Sequence, residues 1–250
     1  MNRILSIEKI DRFGRAVETI PEAGSDFEEG AALMGPSLAD SANDSGRSRH
    51  RGGALRVRVT PEEGEAFVIS GRRASRLGLR PGDELAQETY AEIMQSLRSA
   101  CLQRCGTLLG SRDYPVHRLR TKLQDAGYPP SIIEDCIEKL QEAHYLDDAR
   151  YAQTYLRSHL ADRSLLRIRH DLMERGIPEE EIERAVEEIS EETDPEEVQL
   201  ARIRRLLQKR GYDPAQTDYT ARQKTVAFLR RKGYGMELIR RAMAEDVQIP

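Results

Sequence analysis

Residues 123–137 read LQDAGYPPSIIEDCI, and the place of Gly127 in that stretch decides the fold. Leu123 stands four residues before the glycine and Tyr128 one after it. Ile133, Cys136 and Ile137 follow at six, nine and ten. The same register recurs around Gly176, with Leu172, Ile177, Ile182, Ala185 and Val186. It recurs again around Gly233, with Leu229, Tyr234, Ile239, Ala242 and Met243. A helix commonly ends with glycine in the left-handed conformation, and the residue after it then packs on the one four before it. Positions six, nine and ten share one face of a following helix. Each copy therefore predicts a helix, a tight glycine turn and a second helix, and a preceding helix completes a three-helix unit. LLQKRGY repeats the ending with Leu207, Gly211 and Tyr212, which closes the first helix of the third unit. The three glycines lie 49 and 57 residues apart, and DPAQTDYTARQ accounts for the longer gap.

The expected fold class is mainly α: an elongated, curved array of three tandem three-helix repeats over 87–146, 147–193 and 194–250. Units this small bury their faces only against neighbours. Upstream, Ile4, Ile7 and Ile10 suggest a short strand within 1–20. Residues 21–53, rich in Gly, Ser, Ala and Asp, lack apolar periodicity and read as a disordered insert. In 54–86 the alternation of Leu55, Val57 and Val59 with Arg56, Arg58 and Thr60 predicts a strand. PEEGE turns it, AFVIS returns, and a short helix follows. Such a hairpin is too small to stand alone and is expected to dock on the next unit.

With 250 residues, 38% apolar, 33% charged, 5% aromatic and no Trp, the chain suits thin helical layers. No apolar run approaches the length of a membrane span and the first residues are too charged for a secretory signal, so a cytoplasmic protein is expected. Cys101, Cys105 and Cys136 form no CxxC pair and read as buried, reduced thiols. His50, His117, His144, His159 and His170 show no metal-ligand spacing, and no phosphate-binding glycine loop is present. No cofactor and no metal are expected. Tyr128, Tyr151, Tyr155 and Tyr234 fall on packing positions.

Asp147 and Asp148 could be a catalytic pair, but they directly precede ARYAQTYLRSHL, where a carboxylate caps free N–H groups. The third unit opens alike, with Asp194, Pro195 at the first helical position and Glu197 placed for a capping box. Helix boundaries are the favoured reading, and a nuclease using Asp147 and Asp148 is the outlying one.

The net charge of −4 conceals segregation. Residues 179–197 are acidic, whereas cations stand between core leucines: Arg118, Arg120 and Lys122 in the first unit, Arg167 and Arg169 in the second. The third carries Arg202, Arg204, Arg205, Lys209, Arg210, Arg230, Arg231, Lys232, Arg240 and Arg241. These fifteen are the candidate binding residues. Stacked at constant rotation, they would line a groove for a phosphate backbone or for an acidic protein surface.

The run from LLGSRDYPVHRLRTKLQDAGYPPSIIEDC through YLDDARYAQTYLRSHL to LRIRHDLMERGIPEEEIERAV resembles the RecX family of bacterial regulatory proteins. The resemblance covers roughly Leu102 to Met243. The hairpin looks like the extension of longer members, and the low-complexity insert departs from the family's usual form. What the resemblance implies is a non-enzymatic modulator that binds the RecA–single-stranded DNA filament. It would limit filament growth, ATP turnover, strand exchange and repressor cleavage. RecA is the implied partner, with direct contact to single- or double-stranded DNA, no membrane, and a monomeric state. The alternative is a stand-alone DNA-binding module built from helix–turn–helix-like repeats.

Overall fold

The computed structural model describes residues 2–11, 15–21, 55–215 and 218–245. The insert expected over 21–53 lies, except for Pro21, outside the described residues. The chain divides into two compact units, Met1–Ser111 with Leu119–Glu142, and Arg112–Arg118 with Ala143–Pro250.

The first unit opens on an antiparallel sheet of β1 (Asn2–Ile10), β2 (Ala16–Ile20), β3 (Arg56–Pro61) and β4 (Phe67–Ser70), in the order β2-β1-β3-β4. A short β5 (Glu84–Leu85) also pairs with β1. Helix α1 (Gly71–Arg76) follows β4. Ile4, Ile7 and Ile10 are all buried although they are three apart. In a regular strand that spacing would place them on opposite faces. Register shifts between Ile4 and Ser6 and between Lys9 and Ile10 return them to one face. β2 is not announced by an apolar pattern, since only Ile20 of its five residues is buried.

Three helix triplets follow: α2 (Gln87–Leu109), α3 (Val116–Asp125) and α4 (Pro130–Glu142); α5 (Asp148–His159), α6 (Leu165–Met173) and α7 (Glu179–Glu192); α8 (Pro195–Lys209), α9 (Tyr219–Arg231) and α10 (Met236–Glu245). The expected fold class is thus met: mainly α, with three three-helix repeats and a small N-terminal sheet. The glycine register is realised in each. Gly127, Gly176 and Gly233 have φ of +83°, +82° and +88°. Tyr128 N–H donates to Leu123 O at 3.2 Å and Gly127 N–H to Gln124 O at 2.8 Å. Ile177 and Tyr234 reach Leu172 and Leu229 in the same way, each at 3.2 Å. Leu123, Leu172 and Leu229 are fully buried, as are Ile133, Ile182 and Ile239 to within 1%.

Each of these turns is also a docking point, a role the spacing does not reveal. A Cβ on Gly127 would lie 2.8 Å from Val68 Cβ of β4, and Arg56 donates to Ala126 O. Glu65 accepts from Ser131 N–H at 3.0 Å, beside the start of α4. The hairpin therefore seats on the first glycine turn. In the second unit, a Cβ on Gly176 would meet His117 Cγ at 2.5 Å, and Arg118 donates to Glu174 O at 3.0 Å. A Cβ on Gly233 would meet Ser164 Oγ at 2.5 Å, and that hydroxyl donates to Lys232 O at 2.7 Å. Gln199 of α8 completes this last joint. Its amide oxygen accepts from Leu165 N–H at 3.0 Å and its nitrogen donates to Arg163 O at 3.0 Å.

The paired aspartates serve two helix ends. Asp147 caps α5 by accepting from Arg150 N–H at 2.9 Å. Asp148 is the first residue of α5, yet its carboxylate accepts from Val116 N–H at 3.0 Å, at the start of α3. Asp194 caps α8 through Glu196 N–H at 2.9 Å. This corrects the capping box expected of Glu197, whose carboxylate lies 3.7 Å from Arg241 instead. Asp147→Ala and Asp148→Ala are each expected to lower stability by about 1 kcal/mol, as loss of a helix cap does. Urea unfolding at neutral pH checks this, and an unchanged midpoint for Asp148→Ala would contradict its bond to α3.

Cys101 and Cys105 of α2 and Cys136 of α4 are fully buried and reduced. Hydrogen bonds to Cys105 and Cys136, together with burial, push the Cys101 thiol up, so it stays protonated and inert. Among the described residues no group of three or more His, Cys, Asp or Glu is arranged to hold a metal ion. No described helix is long and apolar enough to cross a membrane.

Candidate functional site

The fifteen cations separate into engaged and exposed sets. In the first repeat, Arg120 forks onto both oxygens of Glu134, each at 2.8 Å. In the second, Arg169 meets Glu183 at 2.8 Å. Both pairs join the second helix to the third, and both occupy the same register, seven residues before and seven after the glycine. Arg118 donates to the Glu174 carbonyl, Arg167 lies 3.0 Å from Asp171, and Lys122 is exposed on α3. In the third repeat, Arg202 is half-buried, 3.7 Å from Asp162. It also hydrogen-bonds the buried Tyr234 hydroxyl. Arg204 is half-buried on α8. Arg241 ties α10 to α8 through Glu196 at 2.6 Å. Arg120, Arg167, Arg169 and Arg241 are thus each engaged by an acidic side chain of the fold.

A different set comes together in the third repeat. Arg205, Lys209, Arg210, Arg230, Arg231 and Lys232 are exposed, and none pairs with an acidic side chain among the described residues. The ends of α8 and α9 converge on Phe228, whose ring lies 4.4 Å from the Arg210 guanidinium and 5.2 Å from the Lys232 ammonium. Arg240, on α10, is 71% exposed, with Glu237 3.6 Å away. Cations at helix C-termini also complement the helix dipole, but that does not account for Arg240 near the middle of α10. Over residues 194–250 there are twelve Lys and Arg against eight Asp and Glu. Over 147–193 there are seven against thirteen.

Sequence reasoning missed a polar centre inside the second repeat. Asp171 lies on the buried side of α6, only 5% exposed, and binds Arg163 at 2.6 Å and Arg167 at 3.0 Å. The Tyr155 hydroxyl donates to it at 3.3 Å, and the Tyr155 ring lies between Arg175, at 4.5 Å, and His159, at 4.0 Å. Burial alone would raise the Asp171 carboxyl, but the two guanidiniums and the tyrosine outweigh it and hold it below the usual carboxylate range. The signal was present: Arg167 precedes Asp171 by four residues on a helix whose Ile168 and Leu172 face the core. These groups brace the repeat from within.

Comparison with known proteins places the repeats in a family. Three family descriptions match in chain order: the RecX first three-helix domain at residues 101–140, the second at 147–186 and the third at 197–243. The regulatory protein RecX of Trichlorobacter lovleyi is 32% identical over 146 residues, 57% of this chain and 92% of that protein. The chain belongs to the RecX family. The RecX of Vibrio vulnificus is 30% identical over 159 residues, covering 63% of this chain and 97% of the relative. The RecX of Clostridium botulinum strain Eklund 17B is 25% identical over 193 residues, 77% and 90% of the two chains. A crystal structure of regulatory protein RecX superposes with a TM-score of 0.55 at 23% identity, over 79% of this chain and 96% of that one. RecX from Lactobacillus salivarius gives 0.54 at 19% identity, over 60% and 97%. At such identities the solved structures speak for the fold.

Proposed function

We propose that this RecX-family chain binds the RecA–single-stranded DNA filament and inhibits its recombination, ATPase and coprotease activities, so restraining the SOS response and recombinational DNA repair. It acts in the cytoplasm as a monomer, without a cofactor and without chemistry of its own. The observation that carries the reading is the exposed cationic surface at the ends of α8 and α9, in a chain of this family. Such a surface is built to hold a polyanionic assembly rather than to enclose a small substrate. A protein that occupies sites along a filament shifts its assembly equilibrium by differential binding alone.

The test is RecA ATP turnover on single-stranded DNA, followed as the full chain is added. Turnover and strand exchange are expected to fall at or below equal molar ratio with RecA. Turnover unchanged at saturating protein and low salt contradicts the reading. Salt-dependent binding to naked duplex with a sequence preference would favour the stand-alone DNA-binding module instead.

A further inference from the structure

We infer that the third repeat makes direct contact with a nucleic-acid strand, because two positions of the glycine register change there from acid to base. This rests on the filament reading and adds which residues touch the strand.

Two residues before the glycine stand Asp125, Glu174 and Arg231 in the three repeats. Seven residues after it stand Glu134, Glu183 and Arg240. Seven before it stand Arg120, Arg169 and Val226. In the first two repeats the glutamate at +7 neutralises the arginine at −7 across the helix pair, at 2.8 Å in both. In the third the arginine has become valine and the glutamate has become arginine. The internal pair is gone, and Arg240 is presented to solvent. Its acidic neighbour Glu237 is 76% exposed and 3.6 Å away, a pairing that solvent screens.

One of the inverted positions, Arg231, belongs to the exposed set. Arg230 lies one helical turn beyond Val226, on the same side of α9. Arg231 and Lys232 continue to the glycine turn, and Arg210 reaches Phe228 from α8. No acidic side chain is interleaved in the sequence from Val226 to Lys232. A surface of one sign suits a uniformly charged phosphate backbone better than a protein surface, on which both signs alternate. Guanidinium forks match phosphate oxygens. The second repeat would repel the same strand: Glu179, Glu180, Glu187 and Glu191 of α7 are exposed, without a basic partner among the described residues.

The register supplies its own test. A fluorescent single-stranded oligonucleotide is titrated with the full chain at low salt, and anisotropy reports affinity. Arg231→Glu with Arg240→Glu is expected to weaken binding at least about tenfold and to flatten the salt dependence by about 0.7 per lost phosphate contact. Val226→Arg with Arg240→Glu restores the ion pair of the other repeats. It should keep helicity and melting temperature while lowering affinity. Arg169→Val with Glu174→Arg and Glu183→Arg writes the third pattern into the second repeat and should raise affinity. Affinity within twofold of the parent in both loss variants overturns the inference. A parent chain that inhibits RecA turnover but binds no oligonucleotide also overturns it, and leaves the filament reading standing. A parent that binds the oligonucleotide through Arg231 and Arg240 but leaves RecA turnover unchanged supports the contact and defeats the filament reading.

Discussion

Gly176→Val is expected to destabilise the protein by about 3 kcal/mol. Two causes combine. At φ +82° a β-branched residue is held in the left-handed region, which costs about 1–2 kcal/mol. Its Cβ would also meet the His117 ring at 2.5 Å, and overpacking of that kind costs about 1–3 kcal/mol. Gly211 separates the causes, because it has φ +62° but nothing within 4 Å of its Cβ position. Gly211→Ala should therefore show the backbone cost alone, about 1 kcal/mol. Removing the whole side chain should relieve the second cause, because the nearest contact is His117 Cβ at 2.4 Å: in a His117→Gly background, Gly176→Ala should fall towards the cost at Gly211. Urea unfolding followed by helicity checks all three. A Gly176→Val chain as stable as its parent would mean that the turn and its docking contact are wrong.

Asp171→Asn is expected to cost about 2 kcal/mol, the loss of a buried carboxylate hydrogen-bonded to charged groups. Arg163 and Arg167 are 44% and 56% exposed, so they regain water and temper the loss. The effect should depend on pH in one direction. The folded carboxyl is held below its unfolded value of about 3.9. Its contribution is therefore complete above about pH 4 and is lost as the pH falls through the folded value. Parent and variant should differ at pH 7 and converge in strong acid. A constant difference from pH 7 down through the acid limb would assign the loss to packing, not to charge.

The helical repeats were legible because the glycine ending is a local device. The leucine four before, the glycine and the apolar residue after it form one hydrogen-bonded motif, so their spacing alone announces it. The same register held more than the leucines. Arg120 and Arg169 stand fourteen residues before Glu134 and Glu183, a fixed offset that a charge-by-charge comparison of the copies exposes. Grouping the cations by their place between core leucines hides that pairing. Other features have no local signature. β2 is found by its partner β1, not by its own pattern. The bulges that bring Ile4, Ile7 and Ile10 to one face depend on register with β2 and β3. Asp148 looks like a second cap for α5 because nothing nearby in sequence points to Val116, 32 residues upstream. In sequence the glycine turns announce helix ends only, since their tight approach to Val68, His117 and Ser164 belongs to the tertiary fold.

The filament claim meets its most direct test in co-sedimentation of the full chain with RecA assembled on single-stranded DNA, beside free RecA and naked strand. The chain is expected to pellet with the filament at salt concentrations that release it from the naked strand, and to leave free RecA in the supernatant. Equal recovery with filament and with naked strand at every salt concentration, or none with the filament at low salt, would contradict it.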